Sequence, residues 1–145
     1  MTDFTQIYER HTEALATANA HNKIVVFAAL AAAGITSVNV SFDGEGDSGQ
    51  ITDITAFAGE KHMKLPQTAI AIQRASWGRE GLIDCEQPFS EAIEALCYGY
   101  LEQQNSGWEN NDGAYGEFTF DVGKRSIELD FNARYVDVYN SIYSL

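Results

Sequence analysis

"EFTFDVGKRSIELDF", residues 117–131, decides the fold. Phe118, Phe120 and Val122 alternate with polar residues before Gly123-Lys124-Arg125, and Ile127, Leu129 and Phe131 alternate after it. Alternation with a period of two puts all six apolar side chains on one face of a strand pair. The short "GKR" segment reads as the turn of an antiparallel hairpin. The opposite face then carries Glu117, Thr119 and Asp121 on one strand and Glu128 and Asp130 on the other. A lone hairpin is marginal in water, so its apolar face calls for further strands and for helices to cover it.

Upstream, "SVNVSF" (37–42) repeats the pattern, with Val38, Val40 and Phe42 inward. "QITDITAF" (50–57) is β-branched but loses alternation around Asp53, which a bulge there explains. "FDGEGDSGQ" (42–50) joins the two, its glycines and aspartates being turn formers. "RYVDVYNSIY" (134–143) adds a strand after the hairpin, and residues 59–66 read as a loop. "QTAIAIQRAS" (67–76) and "GLIDCE" (81–86) form a second hairpin about Trp77-Gly78.

Helical spacing appears in three places. Residues 4–20 place Phe4, Ile7, Tyr8, His11, Leu15 and Ala18 on one face, with Asp3 as cap. Residues 23–33 form a second helix, capped by Asn22, stopped by Gly34 and apolar almost all round, as expected of a deeply buried helix. After Pro88, Ile93, Leu96, Cys97, Tyr100 and Leu101 give a third stripe, with Cys97 a core residue. The expectation is a single α+β domain over residues 1–145. It has a mostly antiparallel sheet of about six or seven strands with about three helices packed on one face.

Composition narrows the function classes. Nine basic against 21 acidic residues give a net charge of −12. Phosphate binding needs a cationic surface, so direct nucleic-acid and anionic-membrane partners are excluded as expectations. Thirteen acids lie from Glu80 onward against Lys124, Arg125 and Arg134. The segment from Lys61 to Arg79 holds four basic residues and no acid, so the charge is polarised along the chain. Cys85 and Cys97 form no CxxC, no secretory leader pattern opens the chain, and its longest apolar run, "IVVFAALAAAGI" (24–35), is too short to span a bilayer. A cytoplasmic location is the expectation.

Three chemistries contend for the stretch 42–50. Gly-Asp-Ser-Gly at 46–49 matches the surroundings of a protease nucleophile. Only 45 residues precede it, with His11 and His21 in helical segments, which leaves no room for a triad with an oxyanion hole in that architecture. Asp43, Glu45 and Asp47 occupy positions 1, 3 and 5 of a calcium loop. The EF-hand pattern then fails at Ser48, where glycine belongs, and at Ile54, where the last acid belongs. A calcium or magnesium site of another kind remains open, completed by Asp112 or Glu109. The third reading, a solvated acidic hairpin, asks nothing more of the chain. His11, His21 and His62 show no zinc-ligand spacing, and no nucleotide-binding glycine motif occurs. "GWENNDGAYGE" (107–117) mixes Trp108 and Tyr115 with Glu109 and Asp112, the residue types of a recognition surface.

Four segments, "SFDGEGDSGQI" (41–51), "EAIEALCYGYLEQ" (91–103), "GWENNDGAYGEFTFDV" (107–122) and "ELDFNARY" (128–135), resemble a family of uncharacterised proteins from proteobacterial plasmids, prophages and neighbouring mobile DNA. The resemblance implies a mobile-element context and brings no catalytic residue or cofactor. Small acidic proteins of that context are often anti-defence factors, anti-CRISPR-like, that occupy a nucleic-acid groove. The leading expectation is a non-enzymatic acidic binding protein. Its interaction residues are Trp108, Glu109, Asp112, Tyr115, Glu117, Asp121, Glu128 and Asp130, facing a basic protein surface. A divalent-cation module built on Asp43, Glu45, Asp47 and Asp112 is the first alternative. An enzyme with a carboxylate site in a deep pocket is the second.

Overall fold

The helices expected over 4–20 and 23–33 are one. In the computed structural model, which describes residues 4–45, 48–75, 82–104, 113–133 and 139–145, α1 runs unbroken from Phe4 to Ala32. No glycine or proline interrupts it, and Asn22, expected as a cap, spends its side chain elsewhere. Asn22 Nδ2 donates to the Gln73 carbonyl at 2.8 Å, and Gln73 N–H donates to Asn22 Oδ1 at 2.7 Å. A mid-helix asparagine paired to a strand backbone in this way no longer competes with the helix. The second half of α1 buries one stripe, Val26, Phe27 and Leu30, and leaves Ile24 70% exposed, so it is not buried all round.

Gly34 ends the helix as expected. Its φ is 78°, its N–H donates to Ala31 O, and Ile35 N–H donates to Leu30 O. These are the two bonds of a Schellman motif, and Ile35 and Leu30 are both buried beside them.

By its internal contacts the chain divides into two compact units. The first comprises Met1–Ala29 and Gln67–Gln104. It holds most of α1, the hairpin β4 (Ala69–Ala75) and β5 (Leu82–Pro88), and helix α2 (Phe89–Gln104). The hairpin pairs antiparallel as its sequence indicates, and α2 packs on it. Ile93, Leu96, Cys97, Tyr100 and Leu101 are all buried on α2. Burial, then nearby Glu94, pushes the Cys97 thiol up. Burial, then Cys97, pushes the Tyr100 hydroxyl up to about 12. Both stay protonated at neutral pH, as core residues.

The second unit comprises Leu30–Pro66 and Asn105–Leu145. It is built on a six-stranded sheet. Its strands are β1 (Ser37–Glu45), β2 (Ser48–Ala58), β3 (Lys61–Met63), β6 (Ala114–Asp121), β7 (Ser126–Ala133) and β8 (Tyr139–Ser144), in the order β3-β2-β1-β6-β7-β8. All neighbours are antiparallel. The expected count of about three helices and six or seven strands therefore becomes two helices and eight strands among the described residues. The strands are shared between a six-stranded and a two-stranded sheet. Part of the difference is β3, three exposed residues in a segment read as loop, too short to show a period. The rest comes from α1 being one helix.

The bulge expected near Asp53 is present. Ser41 pairs with Asp53 while Phe42 pairs with Ile51, leaving Thr52 as the extra residue. The shift restores alternation and turns Ile54 and Ala56 to the same side as Val40 and Val38. On that side Val38, Val40, Phe118, Phe120, Ile127 and Leu129 are essentially fully buried. Burying each such side chain stabilises by about 1.5–3 kcal/mol.

Gly116 sits between Phe42 on β1 and Phe131 on β7. Those two rings stack across it at 6.1 Å, and a Cβ there would collide with the Asp130 carbonyl.

Candidate functional site

The sheet's other side is a lattice of polar residues in four cross-strand rows. The first runs His62, Phe57, Ser37, Asp121, Ser126; the second Thr55, Asn39, Thr119, Glu128, Ser144. The third runs Asp53, Ser41, Glu117, Asp130, Ile142; the fourth Gln50, Asp43, Tyr115, Asn132, Asn140. Six of these positions are carboxylates and none is Lys or Arg. The period-two reading of 117–131 placed Glu117, Asp121, Glu128 and Asp130 on this face, and the pairing adds Asp43 and Asp53 from β1 and β2.

The carboxylates are not equivalent. Glu117 and Glu128 are exposed and make no hydrogen bond or ion pair among the described residues. Asp121 Oδ1 accepts the Lys124 N–H at 3.1 Å and so holds the β6–β7 turn, in which Arg125 takes a φ of 54°. Asp53 Oδ2 accepts from Thr55 Oγ1 at 3.1 Å.

Asp130 is the most organised of them. Its Oδ1 accepts from Asn140 Nδ2 at 2.6 Å and from Asn132 Nδ2 at 3.2 Å. Asn132 also reaches the Tyr115 carbonyl at 3.3 Å. Glu117 stands directly opposite Asp130 on the neighbouring strand. Like charges in that position are destabilising, so the face is held together against its own repulsion by neutral amide donors.

The chain belongs to the family of unknown function DUF6878. The family model matches residues 18–145, which takes in the whole polar lattice. No curated protein and no solved structure matches the chain.

Several expected site residues of this family member fall elsewhere. Trp108, Glu109, Asp112 and Asp47 lie outside the described residues, as does the side chain of Glu45. The stretch 42–50 does serve as a hairpin. Glu45 pairs with Ser48, so only Gly46 and Asp47 lie between β1 and β2. Asp43, half-buried, faces Tyr115 in the register. Among the described residues no three His, Cys, Asp or Glu side chains are grouped to hold a metal ion. No helix of the described residues is long and apolar enough to cross a membrane.

Asn132 and Asn140 escaped the sequence reading. Asn132 was legible as the residue two beyond Asp130 on the same strand. Asn140 joins only through its pairing with Asn132.

Proposed function

We propose that this protein is a non-enzymatic binding protein whose acidic sheet face docks a basic protein surface. The carrying observation is the lattice itself: Asp43, Asp53, Glu117, Asp121, Glu128 and Asp130 on one face with no cation among them. A regular pleated surface presents these charges at fixed spacing, with Glu117 and Glu128 exposed to meet lysines and arginines. Such a face speeds encounter with a cationic partner and loses its pull as salt rises. Tyr115 and Ile142, 36% and 60% exposed on the same face, supply apolar contact inside the polar surround.

A target whose own basic groove ordinarily binds nucleic acid is the natural partner, which accords with an anti-defence role in a mobile-element setting. The test is capture of host proteins by the wild type and by a Glu117→Lys/Glu128→Lys variant at low and high salt. Any captured protein is then assayed for loss of DNA binding. Capture that disappears in the variant and with salt, from a protein that the wild type competes off DNA, supports the reading. Capture unchanged by the double reversal overturns it.

A further inference from the structure

The two edges of the six-stranded sheet are built differently. At one edge β3 is three residues long and begins with Lys61, and shortness and lysine both keep an edge from adding a strand. At the other edge β8 is "YNSIYS" (139–144), with no charge, no proline and an unbroken register with β7. Asn140, Ser141, Ile142 and Ser144 are exposed along it, and no described strand lies beyond it.

The register shows which backbone groups are open. Leu145 N–H donates to the Ile127 carbonyl at 2.8 Å, in line with Glu128 opposite Ser144. Hydrogen-bonded and non-hydrogen-bonded residues alternate along an antiparallel pair. Ser141 and Tyr143 therefore turn their N–H and C=O groups toward β7, while Asn140, Ile142 and Ser144 turn theirs out of the sheet. The same three residues lie on the acidic face. Ser144 ends the row of Glu128, Ile142 that of Glu117 and Asp130, and Asn140 that of Asp43.

A strand added beyond β8 lies about 4.8 Å from it and about 10 Å from β7. A long cationic side chain on its acidic-face side bridges that gap. Over the small Ser144 it meets Glu128, which is exposed. Along the apolar surface of Ile142, 60% exposed, it meets Asp130, whose Oδ1 alone is held by amides.

We propose that β8 takes up an extended segment of the basic partner as an added strand, with Lys or Arg at alternate positions over the acidic face. The proposal rests on the docking-face reading and names how the partner engages that face. Main-chain bonds to Asn140, Ile142 and Ser144 hold the segment, and its alternate cations select it. A second copy of this chain is the poorer occupant. Its β8 brings no cation, and a net charge of −12 on each copy opposes their meeting.

Fluorescence anisotropy of the full chain with a labelled eight-residue peptide of alternating lysine and valine tests it. Residues in a hydrogen-bonded pair share a face, so the amides that meet β8 belong to the lysines. The peptide N-methylated at its valines is expected to bind like the parent, and the one N-methylated at its lysines at least tenfold more weakly. Ile142→Pro removes a donor that points out of an edge strand, a place where proline is tolerated, and gives the same loss with the parent peptide. Equal affinity for the two methylated peptides overturns strand addition; if Glu117→Lys/Glu128→Lys still abolishes that binding, the docking face stands. Binding that survives the charge reversal overturns both. No binding of the parent peptide overturns the proposal and leaves the docking face to its capture assay. Dimerisation of the wild type in sedimentation that Ile142→Pro abolishes overturns it as well, giving the edge to a second copy.

Discussion

Replacing Glu117 by lysine separates what the acidic face does for the fold from what it does for a partner. Glu117 stands between Ser41 on β1 and Asp130 on β7. Asp130 Oδ1 is already held by Asn132 and Asn140, which leaves Oδ2 for a new cation across the strand. Directly opposed like charges destabilise and opposite charges stabilise by about 0.2–1 kcal/mol each. Reversal of the sign is therefore worth up to about 2 kcal/mol. Solvent screening at an exposed position brings the expected gain to about 0.5–1 kcal/mol. For a chain of this size that is a rise in Tm of about 1–4 °C. Differential scanning calorimetry at low salt reads it, and the gain shrinks as salt is added. Partner capture moves the other way, because the centre of the face changes from −1 to +1. A variant that melts higher yet binds worse is the signature of a surface kept charged for recognition. A lower Tm would refute the assigned cross-strand pair, and a higher Tm with undiminished capture would refute the docking face.

Two further outcomes follow from the packing. Gly116→Ala drives a methyl into the Asp130 backbone carbonyl and up against the Phe42 ring, so the strand backbone must shift to take it. It is expected to destabilise by about 3 kcal/mol or more in urea unfolding, and a cost under about 0.5 kcal/mol would contradict the close β6–β7 approach. For Glu94, burial and Glu91 raise the folded-state pKa above 4.5. The folded chain thus holds that proton more tightly than the unfolded chain, and stability falls as pH rises through this window. Glu94→Gln should therefore melt above the wild type at neutral pH, with the gap closing below pH 4.5; a gap that widens in acid would reverse the assignment.

Strand pairs were legible where the alternation was clean and the turn short. The β6–β7 hairpin, its buried and outward rows, and the bulge between β1 and β2 all follow from period-two patterning, because a pleated strand sends neighbouring side chains to opposite faces. The break between two helices at Asn22 was misread for an equally local reason. Asparagine favours helix starts when its side chain must find a nearby backbone partner, and only the folded chain reveals that the partner is Gln73, 51 residues away. The split of the strands into two sheets was likewise hidden, since patterning fixes which face of a strand is buried and says nothing of which strand lies beside it.

The sequence by itself determined the acidity, the α+β class and the outward acids of one hairpin, all properties of composition or of spacing within a few residues. Only the tertiary structure brought Asp43 and Asp53 into the same lattice, set Glu117 against Asp130 with amides to hold it, and joined α1 to α2 through Asn19 and Gln103. Those arrangements depend on strand order and on helix contacts between residues up to 91 positions apart, which are decided when the whole chain chooses its neighbours.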